Sequence, residues 1–361
     1  MELRPMGENV YFAASNSRRG FVSYYAECFD APRVDHVYAV KGGPGTGKSR
    51  FLQEVARAGE ARGWKAERIL CSSDPDSLDG VILSRGTRCI ALLDATAPHL
   101  YEPHLPGVRE ELIDLGAFWD ARRLAAAREE IEDLNAQKRA AYRRAYRYLA
   151  AEGELGENRD ALVSPYLRRG AMKASAERLL REIPDGEGYS CRTALMRSVG
   201  MRGEVLLDRF FASGNRVTFL SDCYGAASVF LSELGELCVE KKLAVSVSHD
   251  PVYPESIDAI LLEGSRRAFV VLPREAELPT EAHLLSMRRF VEVGRMKEIR
   301  GEVRLCERLS RAMRQGALES LRAVRAAHFA LEEIYVAAMD FAAKENFTKA
   351  FCEKLFDLQN S

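Results

Sequence analysis

The stretch Lys41-Gly42-Gly43-Pro44-Gly45-Thr46-Gly47-Lys48-Ser49 constrains this chain more than any other. It fits the pattern G-x-x-x-x-G-K-[ST] without a mismatch, and its flanks fit the strand–loop–helix context that gives the pattern meaning. Val37-Tyr38-Ala39-Val40 reads as a short buried strand, and Ser49 to about Arg62 as an amphipathic helix. Each residue type has a physical task. Glycines let the backbone turn tightly and bring its N–H groups close to phosphate oxygens. The helix that begins near Gly47 offers the positive end of its dipole to the same anion. Lys48 adds a full positive charge, and the Ser49 hydroxyl is a ligand for Mg²⁺. Gly42, Gly43, Pro44, Gly45, Thr46, Gly47, Lys48 and Ser49 are therefore the expected binding residues.

A chain of 361 residues has room for two ordinary domains. Its net charge of −1 leaves no bulk electrostatic case for nucleic acid or a membrane surface. The eight cysteines are scattered, without a C-x-x-C pair or a zinc-like spacing. Free thiols, the absence of a signal-like apolar region near Met1, and the lack of any bilayer-length apolar run lead to the expectation of a reducing cytoplasm.

Lys65 to Cys71 reads as a second strand, and Ser72-Ser73-Asp74-Pro75-Asp76-Ser77 as a loop with Ser77 capping a short turn through Val81. Cys89-Ile90-Ala91-Leu92-Leu93-Asp94 is an apolar strand ending in an acid. Downstream of such a loop, Asp94 is expected to orient Mg²⁺ and its waters beside Ser49. From about Gly107 to Arg181 the pattern is helical. Arg122 to about Ala151 reads as one long helix, Leu155-Gly156-Glu157-Asn158 as a turn, and a return helix runs to Ile183. Pro184-Asp185-Gly186-Glu187-Gly188 is a linker candidate.

The second half resembles the first at a shift of about 180 residues. Phe51-Leu52-Gln53-Glu54 meets Phe230-Leu231-Ser232-Glu233, and Pro75-Asp76-Ser77-Leu78-Asp79 meets Pro254-Glu255-Ser256-Ile257-Asp258. The expectation is an α/β fold of two tandem P-loop repeats, residues 1–190 and 191–361, each with a parallel-sheet core and a long helical hairpin. The copies differ where chemistry belongs. Ser221-Asp222-Cys223-Tyr224-Gly225-Ala226-Ala227-Ser228 stands against Gly42–Ser49, so Ala227 replaces Lys48, and Pro273 replaces Asp94. The second copy should not bind nucleotide. Residues that survive there, Ser77 as Ser256 and Asp79 as Asp258, read as turn and cap residues. Asp74 and His99, which become Tyr253 and Leu278, rise as active-site candidates, with Asp74 as a base or water-orienting group. Phe21, Tyr24 and Tyr25, in a segment without a counterpart, are candidates for the wall of a base site or for a packing helix.

Most of residues 10–150 resembles an uncharacterised family of duplicated P-loop ATPase-like proteins of clostridia and bacilli. The residues that carry the likeness are the glycine loop, Cys71-Ser72-Ser73-Asp74-Pro75-Asp76-Ser77-Leu78-Asp79, Leu93-Asp94-Ala95-Thr96-Ala97-Pro98-His99 and Arg144-Ala145-Tyr146-Arg147-Tyr148-Leu149. The resemblance implies a P-loop fold and ATP binding, and no particular substrate. In that family the second repeat often carries a loop of its own, from which Ser221–Ser228 departs.

Three reactions fit these residues. Lys48, Ser49 and Asp94 can hold MgATP for hydrolysis, with Lys48, Asp94 and Asp74 as catalytic residues. The acid that often follows such an Asp is Ala95 here, so hydrolysis should be slow, use Asp74, or wait for a protein partner docked on the helical hairpins or the second repeat. The same residues suit a small-molecule kinase with Asp74 as base, or a non-catalytic ATP-binding regulator. ATP is expected over GTP because no [NT]-K-x-D string occurs. Arg144 and Arg147, on one helix face, are candidates to reach the γ-phosphate. Arg122, Arg123, Arg143 and Arg144 are interleaved with Glu, which reads as a salt-bridged surface and not a nucleic-acid patch.

Overall fold

The structure, a computed structural model, describes residues 1–29, 34–99, 101–212, 214–272 and 283–357. In chain order, β1 (His36–Lys41) leads through the glycine loop into α1 (Lys48–Glu60), followed by β2 (Lys65–Leu70), β3 (Leu78–Arg85), β4 (Arg88–Asp94) and β5 (Glu110–Asp114). Two helices come next, α2 (Arg128–Val163) and α3 (Arg169–Leu180). The order then recurs as β6 (Ser190–Thr193), β7 (Arg216–Ser221), α4 (Ala226–Glu240), β8 (Ala244–His249), β9 (Ile257–Leu262), β10 (Arg267–Leu272), β11 (His283–Ser286), α5 (Arg300–Ala338) and α6 (Phe341–Asp357). Pro273 and Leu278, the counterparts of Asp94 and His99, lie outside the described residues.

The chain forms two compact units. The first comprises Ser23–Arg144, Gly200–Arg202 and Ser320–Ser361, and the second Met1–Val22, Ala145–Val199 and Gly203–Glu319. These units cut across the expected division at residue 190. The reason is the helices. α3 follows the first set of strands in sequence but packs on α4 in the second unit, while α6 at the chain's end packs on α1 in the first.

In the first unit the strands run β2-β3-β4-β1-β5. β1 lies between β4 and β5, parallel to both, with Val40 level with Asp94. β3 is antiparallel to β2 and β4, so the sheet is mixed and not the expected parallel core. The segment read as a turn through Val81 is the start of β3. Val81, Ile82 and Leu83 are all buried, which an extended strand covered on both faces allows, and Gly86 (φ +61°) makes the tight return to β4. The second unit repeats this order as β8-β9-β10-β7-β11, and β6 lies beside β8.

α1 buries Phe51, Leu52, Val55 and Ala56 against the strands. Its other flank meets α6, where Phe351 lies 5.4 Å from Phe51 and 5.1 Å from Tyr38, ring centre to ring centre. Phe51 is fully buried, and burial of such a ring contributes about 1.5–3 kcal/mol. In the second unit, Met172, Ala176 and Leu180 of α3 join Phe230, Leu231 and Leu234 of α4 in one core with Val245, Ile260 and Phe269.

α2 differs from the expected hairpin. It runs unbroken through Leu155-Gly156-Glu157-Asn158, and the chain turns only at Ser164–Arg168. Gly156 is there for close packing, since a Cβ on it would sit 2.7 Å from the Tyr253 ring. Among the described residues, no helix is long and apolar enough to cross a membrane.

Candidate functional site

The loop of the first unit is shaped by its glycines. Gly45 (φ +68°) and Gly47 (φ +79°) hold left-handed backbone, and Gly47 is the residue from which α1 starts. Thr46 is fully buried and its hydroxyl donates to the Gly43 carbonyl at 2.9 Å, closing the loop on itself. Lys48 folds back over the loop. Its Nζ donates to the carbonyls of Gly43 (2.7 Å) and Gly42 (3.0 Å) and lies 3.6 Å from Asp94 Oδ2.

Asp94 reaches this place because β4 and β1 are direct parallel neighbours. Burial raises its pKa, Lys48 opposes the rise, and Asp79 adds to it. Thr96 ties the two segments together. Its N–H donates to Asp94 Oδ1 (2.8 Å) and its hydroxyl to the Gly42 carbonyl (3.0 Å). The Ser49 hydroxyl accepts the Leu78 N–H at 2.9 Å. A hydroxyl and a carboxylate are hard oxygen donors, the kind Mg²⁺ takes while keeping several waters. The charge that Asp94 carries at a cost inside the fold is what such a cation would offset.

Asp74 is buried, and its Oδ1 accepts from Arg202 Nε at 2.9 Å, while Arg202 Nη2 reaches Asp76 at 2.6 Å. Arg202 comes from the short piece Gly200–Arg202 that belongs to the first unit, far away in sequence. β2, which leads to Asp74, is separated from β1 by two strands in the sheet order. Asp79 corrects its sequence reading. It is not a turn cap but a buried strand residue, 3.1 Å from His99 Nε2. Tyr25 lies on the flat face of His99, 4.9 Å away and 12° from parallel, so it packs in the interior. Arg144 and Arg147 are exposed.

The structure adds residues that spacing did not single out. From α5, the Tyr335 ring and the Glu332 backbone press on the loop so closely that a Cβ on Gly43 or Gly45 would fall within 2.6 Å or 2.7 Å of them. The Glu332 carboxylate pairs with His328, and His328 first, with Lys48 and the Gly45 backbone after it, holds its pKa below the usual range. Lys138 of α2, whose pKa burial lowers, lies in electrostatic range of Lys48 and Glu332. In sequence these are ordinary charges on long helices, more than 80 residues from the loop, and no local pattern marks them.

The corresponding loop of the second unit is closed by its own side chain. Asp222, at the position of Gly43, accepts the N–H groups of Gly225 (3.0 Å) and Ala227 (2.9 Å). Gly225 (φ +84°) still starts the helix, and Asp160 of α2 stands over it. No family model, curated protein or solved structure matches this chain.

Proposed function

We propose that the first unit binds MgATP at Gly42–Ser49 and hydrolyses it slowly, and that the second unit is an inactive copy of the same P-loop design. The observation that carries this reading is the Lys48–Asp94 pair, 3.6 Å apart at the mouth of a loop whose amides are shaped for an anion. Lys48 and the amides of Gly45 to Ser49 would hold the phosphates. Ser49 and Asp94 would hold Mg²⁺. The cation would draw charge from the phosphates as the terminal phosphoryl group transfers to water. Slow turnover follows from Ala95, which offers no acid after Asp94, and from the Arg202 pair that occupies Asp74. The two sheets' shared strand order supports reading the chain as two copies of one unit. The resemblance stated for residues 10–150 points the same way.

A non-catalytic role is the second reading, favoured by the same engagement of Asp74. Calorimetric titration with MgATP beside steady-state turnover, for wild type and Lys48→Ala, separates the two. Binding with turnover that the variant loses supports the ATPase. Binding without turnover supports an ATP-sensing protein or a kinase awaiting its acceptor. No binding by wild type refutes the proposal. A protein partner on the helices and a cytoplasmic setting belong to the same proposal.

A further inference from the structure

Cys71, Asp79 and His99 converge in the first unit from three different places. Cys71 directly follows the strand β2, Asp79 lies near the start of β3, and His99 lies in the loop after β4. One donor atom from each falls within 4.8 Å of the others. His99 and Asp79 are buried, with His99 Nε2 and Asp79 Oδ2 3.1 Å apart. A tetrahedral zinc ion with bonds of about 2.0–2.3 Å spaces its ligands at roughly 3.3–3.7 Å, so the three side chains need only small rotations to close on one.

Two further observations point to a cation at this place. Tyr25 is 3% exposed and its hydroxyl lacks a hydrogen-bond partner. The ring stacks on His99, and burial first, then Asp79, Asp94 and Cys71, raises the pKa of its hydroxyl. A buried hydroxyl left without a partner costs about 1–3 kcal/mol, which a ligand in the cluster would recover. The second unit shows what the equivalent positions do when a cation is built in. Asp250 and Asp258 stand where Cys71 and Asp79 stand, and the Arg197 guanidinium binds both, at 2.6 Å and 2.8 Å.

We propose that Cys71, Asp79 and His99 form a binding site for a zinc-like divalent transition metal, with the Tyr25 hydroxyl closing the fourth side. Thiolate and imidazole select such an ion over Mg²⁺, which prefers oxygen alone. Cys71 would bind the ion as its thiolate, giving up the thiol proton. The site is separate from the Ser49–Asp94 pair in its donors and in the ion it prefers.

Cobalt(II) is the probe, because thiolate–cobalt coordination gives a charge-transfer absorption that magnesium and carboxylate sites do not. The full chain is stripped with a chelator, checked for native circular dichroism, and titrated. One equivalent of cobalt with a charge-transfer band, displaced by zinc, is expected. Cys71→Ser should remove the band, and His99→Ala should weaken binding roughly 100-fold. Cys191→Ser, at an exposed cysteine, and Lys48→Ala should both keep it. A natively folded wild type without the band, or a band that survives Cys71→Ser, overturns the metal site. Neither result depends on ATP binding, which the Lys48 experiment judges alone.

Discussion

Two loops of the same outline end in opposite states. In each, a strand in the middle of a sheet runs into a turn with left-handed glycine, and a helix begins there. In the first unit, Lys48 folds back onto the carbonyls of Gly42 and Gly43, and the Glu332 backbone lies against Gly45. In the second, Asp222 reaches the amides of Gly225 and Ala227 from within the loop. Helix starts leave N–H groups without partners, and any acceptor of the right reach will take them. In the second unit the acceptor is Asp222, which stands where the first loop has Gly43. Ala227, in sequence register with Lys48, carries no charge, and its own N–H is taken by Asp222.

The largest expected effect concerns the buried ions rather than the loops. Arg197→Ala would leave Asp250 and Asp258 facing each other without their cation, and the second unit should lose about 3–5 kcal/mol in denaturant unfolding. Loss of less than 1 kcal/mol would mean that the two carboxylates do not depend on the guanidinium. This would also weaken the parallel drawn with Cys71 and Asp79. Next comes Lys48→Ala, which should lower ATP turnover by about 10²–10³-fold, in the range for removing one charge-stabilising donor. Unchanged turnover would move the activity, and the contrast between loops, elsewhere.

Asp222→Ala should cost about 0.5–2 kcal/mol of stability, as other helix caps do. Calorimetry should still count one ATP per chain, because Ala227 supplies no ammonium; two per chain would show that Asp222 alone separates the loops. The smallest effect is expected for Glu332→Gln. Without its charge beside Lys48, the loop should bind ATP about fivefold more tightly, near 1 kcal/mol. Its carboxyl pKa is lowered, first by His328, so the charge and its contribution are present above the usual carboxylate range and fade only as pH falls through the lowered value. The affinity gap between wild type and Glu332→Gln should accordingly be constant around neutral pH and close in acid. A gap that is absent at pH 7 would remove Glu332 from the account of the first loop.

The loop itself was legible in the residues, because its task is local. Glycine at positive φ, a lysine one residue into a helix and an apolar strand before it are all encoded within some fifteen positions. The place of Asp94 beside the loop was legible for a related reason, since β4 is an apolar run that ends in it and lies next to β1. The strand order that the two sheets share was foreshadowed by two runs with the same residue types. Where the reading failed, the deciding partner was distant. Gly156 looks like a turn residue until Tyr253 is seen against it. Asp79 looks like a cap until β2, β3 and the loop after β4 bring Cys71 and His99 to it. Asp74 looks like a free loop acid until Arg202 arrives from more than a hundred residues away.

By itself, then, the sequence determined the glycine-rich turn, the strand and helix around it, and the absence of a lysine from the matching run Ser221–Ser228. All of these rest on backbone torsion and on neighbours a few residues apart. Tertiary structure decided which helix covers which core, that α5 brings Glu332 and Tyr335 onto the first loop, and that Asp222 fills the second. These depend on burial and on electrostatic pairing between segments whose separation along the chain carries no local signal.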